Sequence, residues 1–318
     1  MLPQQKPDQK ASEEVPPPIK VDVDVVNILA SVRDKHNGLV ANLNKDDFTL
    51  FEDGQKQSIK YFTKETDLPL TIGLLVDVSG SQRNLIEIER NAASQFFASV
   101  LRKKDEAFLI SFGEEAELLQ DYTQSPRLLN EGLKRLQVSS GVSGIHPGPV
   151  PTISQPRGTV MYDAVYLAAK DKLTAEVGRK VIVLITDGVD QGSRLDIKQA
   201  IEAAQKSDAV IYSIYYYDSG AYGGHGMIML GGGGEGYLRR MSDETGGHVF
   251  KVDRKHSLMD VFKELQDEMR SQYAIGYTPT NDKKDGSFRK VDLRLADKNL
   301  KVQARKGYYA IRPGDRGD

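Results

Sequence analysis

Residues 70–81 read LTIGLLVDVSGS, and this short stretch decides the fold of the chain. Its first seven residues form an apolar run with the length of one buried strand. Asp77, Ser79 and Ser81 follow at a spacing of two residues. In open α/β sheets, ligands bind beyond the carboxyl ends of the strands. The stretch therefore predicts a buried strand that leads into a ligand-binding loop.

The chain around this strand alternates between apolar runs of strand length and segments with helical periodicity. This alternation is typical of a doubly wound α/β fold with a mostly parallel, Rossmann-like sheet. We expect residues 68–271 to form this unit and to fold alone. Strands are predicted near 70–76, 107–112, 116–119, 181–186, 209–217 and 248–252, and helices near 85–101, 128–136, 161–173, 195–204, 238–245 and 258–269.

Two β-rich segments flank this unit, residues 19–66 and residues 272–312. Asp53-Gly54 predicts a hairpin turn in the first segment, and Tyr, Ile and Tyr alternate at the start of the second. Neither segment is large enough to close its own core, so we predict that they pair in one discontinuous β-sandwich. Residues 1–18 are polar and rich in Pro, which predicts a disordered tether, and residues 313–318 form a tail.

The composition excludes several classes of function. The 318 residues contain 43 Lys and Arg against 45 Asp and Glu, a net charge of -2, whereas nucleic-acid binders need a basic face. Cysteine is absent, which excludes disulfides, thiolate nucleophiles and Cys-ligated zinc. No apolar run reaches the ~18 residues of a membrane span, and no apolar leader is visible at the start. We expect an extracytoplasmic or secreted bacterial protein without its leader, although a cytosolic protein could have the same composition.

A second buried strand also ends in an acid. Residues 181–188 read VIVLITDG, which places Asp187 after the strand, and Thr159 precedes a predicted helix. The donors are hard oxygens with no His or Cys nearby, which favours Mg²⁺ or Mn²⁺. A helix N-cap is the alternative for Asp77 and Ser79, because these residue types cap helices without any metal.

Asp77, Ser79, Ser81, Thr159 and Asp187 together resemble the metal-ion-dependent adhesion site of von Willebrand factor type A domains. In that family an Asp-x-Ser-x-Ser loop, a Thr from a later loop and an Asp after the fourth strand surround one divalent cation. The resemblance implies that the three hydroxyls bind Mg²⁺, Mn²⁺ or Ca²⁺ directly. The two aspartates would bind it directly or through water, and an Asp or Glu of a partner protein would complete the coordination.

The chain after residue 20 also resembles one branch, the acidobacterial-type VWA-related domain family. This likeness implies the same fold and metal site but says little about the partner. The stretches that carry it are residues 46–54, 67–70, 162–165, 245–247 and 305–309.

Other motifs have simpler interpretations. Asp163 and Asp190 are expected to cap helices or to support the ligands rather than to catalyse a reaction. Gly231–Gly236 formally satisfies G-x-G-x-x-G, but no strand ends at these glycines, so a flexible loop at the same sheet edge is expected. Residues 281–292 resemble a calcium loop only loosely, because Lys283 would repel the cation, and we predict a hairpin turn there.

The sequence therefore predicts a non-enzymatic, metal-dependent protein-binding module. A structural scaffold or oligomerisation module with a purely stabilising metal is the main alternative, and a metal-assisted hydrolase is the weaker one. The expected partner is a protein that presents Asp or Glu, with no nucleic acid and no membrane span. The sequence does not define the oligomeric state.

Overall fold

A computed structural model of the chain describes residues 25–64, 68–138, 158–216 and 233–311. The predicted tether and tail, most of the loop 139–158 and residues 217–232 lie outside the described residues. The strands are β1 (Val26–Arg33), β2 (Phe48–Glu52), β3 (Gln55–Gln57), β4 (Ile59–Lys64), β5 (Leu70–Asp77), β6 (Glu106–Phe112), β7 (Ala116–Thr123), β8 (Arg179–Thr186), β9 (Ala209–Tyr215), β10 (Val249–Lys251), β11 (Tyr273–Tyr277), β12 (Phe288–Leu295), β13 (Lys301–Ala304) and β14 (Gly307–Tyr309). The helices are α1 (Ile86–Val100), α2 (Pro126–Leu133), α3 (Met161–Leu167), α4 (Ile197–Lys206), α5 (Glu235–Thr245) and α6 (Leu258–Arg270).

A six-stranded sheet in the order β10-β9-β8-β5-β6-β7 forms the centre of the molecule. All neighbouring pairs are parallel except β6 and β7, so β7 is the antiparallel edge strand. Strand β5 is buried along its whole length, because its alternate side chains enter two separate cores. Helices α1, α2 and α6 cover one face of the sheet, and α3, α4 and α5 cover the other. The predicted doubly wound, mostly parallel α/β fold is confirmed.

The predicted β-sandwich is present as two antiparallel sheets, β13-β1-β11-β4 and β14-β12-β2-β3. Each sheet combines strands from both ends of the described chain, and the two sheets share one core. Asp53 and Gly54 have positive φ angles and form the turn between β2 and β3, as predicted. The next strand, β4, leaves this sheet and pairs with β11 in the other one. Within that pair, Lys64 lies opposite Tyr273, so the chain leaves the sandwich and returns to it at adjacent positions.

The predicted hairpin turn at residues 281–292 is wrong. The segment joins β11 to β12, and these two strands belong to different sheets. Strand β11 already has β1 on one side and β4 on the other, so no edge is left for β12 to join. Asp285 instead forms a local turn, in which Oδ1 accepts the N–H of Ser287 at 3.0 Å and its hydroxyl at 2.6 Å.

A buried polar cluster joins the sandwich to the α/β unit. Glu268 of α6 has no exposed side-chain surface and accepts hydrogen bonds from Ser31 and Arg33 of β1. His248 Nδ1 lies 3.2 Å from the same carboxylate. We call Ser31, Arg33, His248 and Glu268 the Glu268 cluster. Within the ranges that the structure describes, no helix has the length and apolar character needed to cross a membrane.

Candidate metal centre

Asp77 ends β5 at the carboxyl edge of the central sheet and is fully buried. Its Oδ1 accepts the N–H of Ser79 at 2.9 Å, and its Oδ2 accepts the hydroxyl of Thr186 at 2.6 Å. Val76 and Ile185 are register partners in the neighbouring strands β5 and β8, which brings the ends of these strands side by side. The parallel register therefore fixes Oδ2 of this carboxyl group, and the local turn at Ser79 fixes Oδ1.

Ser79, Ser81 and Asp187 form a hydrogen-bonded chain across this edge. Ser81 Oγ donates to Asp187 Oδ2 at 2.8 Å and lies 3.0 Å from Ser79 Oγ. Because Ser81 gives its only hydroxyl hydrogen to Asp187, Ser79 must be the donor in the second contact. Both hydroxyl oxygens keep lone pairs that a cation could use. Gly80, which lies between the two serines, is exposed, so an approaching molecule can reach these hydrogen-bonded side chains.

The loop after Asp187 packs directly against the start of α5. Gly188 has φ +77°, a conformation that favours glycine, and a Cβ there would lie 2.5 Å from the backbone of Gly234. A Cβ on Gly234 would lie 2.1 Å from the carbonyl oxygen of Asp187. The two glycines allow this backbone contact, which holds Asp187 in place.

Thr159 lies beside the same loop and is largely buried. Its carbonyl oxygen accepts the N–H groups of Gln191 at 3.1 Å and Gly192 at 3.2 Å. The next residue, Val160, donates its N–H to Gly113 at the end of β6. The structure thus connects Thr159 to the loop after Asp187 through its backbone, whereas the other four predicted ligands are connected by side-chain hydrogen bonds.

Asp163 and Asp190 fasten this loop to α3. Asp190 Oδ2 accepts the N–H of Tyr162 at 3.1 Å and the hydroxyl of Ser193 at 2.5 Å. Asp163, which lies on α3, in turn accepts the N–H of Leu195 on its Oδ1 at 3.0 Å. These contacts to backbone and hydroxyl groups support the loop that carries Asp187.

The electrostatics of the site are dominated by burial. The pKa of Asp77 is raised from 3.8 to about 6, because burial and, to a smaller extent, the negative charge of Asp187 outweigh the opposing hydrogen bonds from Thr186 and Ser79. Glu89 of α1 is also fully buried, and its pKa is raised well above the usual value by burial and by the charge of Asp77. Negative charge at this edge is therefore costly, and a cation would relieve that cost.

The donor set fits a hard divalent cation. Two carboxylates and the serine hydroxyls supply only oxygen, the ligand type that Mg²⁺, Mn²⁺ and Ca²⁺ prefer. Among the described residues, no three His, Cys, Asp or Glu side chains lie close enough together to hold a metal. A cation at this edge would therefore depend on hydroxyl oxygens as well as on the two aspartates.

Sequence reasoning assigned no contact in this region to Thr186, Gly234, Gln82 or Glu89. Thr186 lies directly before Asp187 at the end of an apolar strand, and its hydroxyl could have been recognised as a partner for a neighbouring strand end. Gly234 belongs to a glycine-rich segment that the sequence placed at the same edge without assigning a contact. Glu89 falls on the apolar stripe of α1, where a carboxyl group is unusual.

Comparisons with known proteins agree with this description. The sequence profile of the von Willebrand factor type A domain matches residues 72–189, a range that contains all five predicted ligands. No curated protein matches the chain significantly. The match is to the general type A domain, so the narrower resemblance to the acidobacterial-type branch stays a prediction.

Several solved structures are similar to the chain at low sequence identity. An aerotolerance-related membrane protein from Bacteroides fragilis has 17% identity and a TM-score of 0.44 over 64% of this chain and 98% of that chain. The vWF domain of the type V pili tip protein Mfa5 from Porphyromonas gingivalis has 13% identity and a TM-score of 0.45 over 64% and 95%. Proximal thread matrix protein 1 from the mussel byssus, with a zinc-occupied MIDAS motif, has 13% identity and a TM-score of 0.48 over 67% and 48%. The present chain thus covers about half of the mussel protein.

Domains of the matched family often bind a metal at an adhesion-site motif and use it for protein interaction. The profile match covers β5 to β8 of the α/β unit, together with the loops at its carboxyl edge. The chain therefore contains a von Willebrand factor type A domain.

Proposed function

We propose that Asp77, Ser79, Ser81, Thr159 and Asp187 bind a divalent cation, with Mg²⁺ as the first candidate and Mn²⁺ or Ca²⁺ as alternatives. Through this cation the domain would bind a carboxylate of a partner protein. The observation that carries the proposal is the side-chain network at the sheet edge, in which Asp77, Ser79, Ser81 and Asp187 meet from separate segments.

The residues of the chain would have different tasks in this site. Asp77 is held from two sides by Ser79 and Thr186, so its carboxyl group is already oriented before any ligand arrives. Ser79 and Ser81 lie at the partly exposed surface and offer neutral oxygens. A bound divalent cation would supply a Lewis-acidic position for a carboxylate from outside.

The proposed role is binding rather than catalysis, in a protein that acts outside the cytoplasm. Two alternatives remain distinguishable by experiment. In the first, the cation only stabilises the loops of a scaffold or oligomerisation module. In the second and weaker alternative, the cation assists hydrolysis, which would require turnover of an ester or phosphate substrate.

The cation site is tested by isothermal titration of Mg²⁺ into the metal-free protein. Ser81→Ala and Asp187→Asn should each weaken Mg²⁺ binding about tenfold or more, because each removes an oxygen donor or its charge. Asp171→Asn is the matched control, since it makes the same charge change at an exposed position, and it should bind like the parent. Equal affinity in all four proteins would contradict the proposed site.

The partner is tested with pairs of peptides that carry Asp or Glu in one member and Asn or Gln in the other. Metal-dependent adhesion predicts that only the acidic member binds, that chelation of the metal abolishes binding, and that Ser81→Ala weakens it. A protein that binds Mg²⁺ and is stabilised by it, but binds no acidic peptide or protein, would support the scaffold alternative.

A further inference from the structure

Two buried polar side chains lie behind the metal edge and have no role in the proposed function so far. Gln82 follows Ser81 directly, and Glu89 lies on α1; neither has exposed surface. No described residue donates a hydrogen bond to Gln82 Oε1 or to either carboxyl oxygen of Glu89. An unpaired buried polar group costs about 1–3 kcal/mol, so three such oxygens in one region require an explanation.

The backbone places the two side chains on one face of the first helical segment. Leu85 donates its N–H to the carbonyl oxygen of Gln82 at 2.8 Å, and Glu89 donates its N–H to that of Leu85 at 2.9 Å. Helical side chains lean toward the N-terminus of their helix. This tendency favours a Glu89 carboxyl group that is directed back toward the loop of residues 77–82, and the charge of Asp77 acts on that group.

Gln82 is also connected to Asp77 through the neighbouring strands. Its Nε2 donates to the carbonyl oxygen of Tyr216 at 3.2 Å. Tyr216 donates its N–H to the carbonyl oxygen of Thr186 at 3.0 Å, and Thr186 donates its hydroxyl to Asp77. A displacement of Gln82 would therefore disturb the residue that orients the buried aspartate.

Glu89 is suited to the buried space only as a neutral acid. An ionised carboxylate there would be the third negative charge in the region, beside Asp77 and Asp187, and would gain no hydrogen bond from any described residue. A protonated carboxyl group carries one O–H donor, and the unpaired Oε1 of Gln82 is an acceptor. The neutral form of Glu89 thus carries a donor, which no described residue otherwise offers to Gln82 Oε1.

We propose that Glu89 is a positioning residue of the metal site. As a neutral acid it supplies the hydrogen-bond donor in the buried space that it shares with Gln82, and it thereby holds the loop of residues 77–82 in the form whose oxygens bind the cation. This inference rests on the proposed function and adds a residue that contacts neither the cation nor the partner.

The test compares Mg²⁺ affinity with stability in the full chain. Glu89→Gln keeps a neutral donor of the same shape, so its affinity should stay within about threefold of the parent, whereas Glu89→Met should weaken binding about tenfold. In metal-free buffer, however, Glu89→Met should unfold near the temperature of the parent, because removal of a buried acid offsets the loss of a donor for Gln82 Oε1. Affinity would then fall without a matching loss of stability, which a purely structural role does not produce.

Glu268→Gln is the matched control. Glu268 is equally buried on α6, but its hydrogen-bond partners are the other residues of the Glu268 cluster and lie away from the metal edge. This variant should change stability and leave Mg²⁺ affinity unchanged. Gln82→Met is a second probe with the same expected loss of affinity as Glu89→Met, and it serves if Glu89→Met does not fold.

The outcomes separate the two proposals. If the parent binds Mg²⁺ and Glu89→Met and Gln82→Met bind it equally well, the positioning role is overturned and the metal site stands. The positioning role is also overturned if Glu89→Gln loses as much affinity as Glu89→Met. If the parent binds no divalent cation, both the metal site and the positioning role fail.

Discussion

Glu89 and Glu268 are equally buried acids that differ in their hydrogen-bond partners. Both side chains are fully buried, and both belong to core-facing stripes of helices, α1 and α6, on the same face of the central sheet. Burial opposes the charge of Glu268, but its contacts with His248 and Arg33 outweigh this effect, so its pKa is lowered. Glu89 receives no hydrogen bond from the described residues, and its pKa is raised.

The comparison shows that burial alone does not decide what an acid does in a core. Glu268 is an ionised group whose partners Ser31 and Arg33 belong to β1 of the sandwich, so it couples the sandwich to the α/β unit. Glu89 is a neutral group whose nearest charge is a candidate metal ligand. Experiments that remove the partners of Glu268, or the negative charge near Glu89, can therefore test this difference between the two acids.

The largest effect is expected when the domains are separated. A fragment of residues 68–271 keeps the surroundings of Glu89 but removes Ser31 and Arg33, so that water can reach the Glu268 carboxylate in their place. We expect this fragment to fold, and its Glu268→Gln variant to have a similar stability in denaturant titrations, because a hydrated carboxylate no longer depends on those partners. A fragment of residues 19–66 should show no cooperative unfolding. A cooperatively folded 19–66 fragment would contradict the proposed domain boundaries.

A smaller loss is expected when only one partner is removed from the intact chain. Arg33→Ala leaves the Glu268 carboxylate with Ser31 and His248, and should lower the free energy of unfolding by about 3 kcal/mol in a denaturant titration. Arg294→Ala is the control, because its pair with Asp292 is exposed and should contribute less than about 1 kcal/mol. Similar losses in the two variants would show that the Glu268 cluster does not couple the domains.

The next effect concerns the pH dependence of Asp77. Its pKa is raised from 3.8 to about 6, so the folded state holds this proton more tightly than the unfolded state. The resulting stability is present below pH 4 and is lost as the pH rises through 6, by about 3 kcal/mol in metal-free buffer at most. Asp77→Asn should reduce this dependence in urea titrations at pH 4.5 and 7.5, while the raised pKa of Glu89 leaves a remaining loss of the same sign.

For this measurement Asp171→Asn is again the control and should keep the dependence of the parent. An Asp77→Asn protein that loses as much stability as the parent between the two pH values would show that Asp77 does not titrate in this range. In excess Mg²⁺ the parent should recover stability at pH 7.5, because a bound cation favours the ionised carboxylate.

The smallest expected effect is the pH dependence of stability that Glu268 causes, and its sign is opposite to that of Asp77. Because the pKa of Glu268 is lowered, its contribution is present above the unfolded value of 4.5 and is lost as the pH falls through its folded value. Glu268→Gln should be less stable than the parent at pH 7 by about 1.5 kcal/mol, and the difference should shrink below pH 4. A difference that grows on acidification would contradict the ionised state of Glu268.

The strands and helices of the α/β unit could be predicted because each has a clear apolar period, and β5 and β8 both end in an acid. The pairing of Asp77 with Thr186 could not, because it depends on the register of β5 against β8. The passage of the chain from β3 to β4 was missed for a related reason. A turn signal such as Asp53-Gly54 defines a hairpin but does not say in which sheet the following strand continues.

The Glu268 cluster could not be predicted from the sequence either. Ser31 and Arg33 are more than 200 residues from Glu268 along the chain, and no local pattern relates them to a helix near the other end. Glu89 shows the complementary limit. The sequence displays an acid on an apolar helix face, but only the structure reveals that this acid lies behind the proposed ligands.

The adjacent positions of Lys64 and Tyr273 have a consequence for the order of folding. These register partners are about 200 residues apart in sequence, and bringing such distant segments together from a disordered chain carries a large entropic penalty. Once the intervening α/β unit has folded, its two ends hold β4 and β11 beside each other, and most of that entropic penalty no longer opposes their pairing. The β-sandwich should therefore assemble late, on a nucleus that the inserted unit provides, and nascent chains that end before β11 should carry β1 and β4 unpaired.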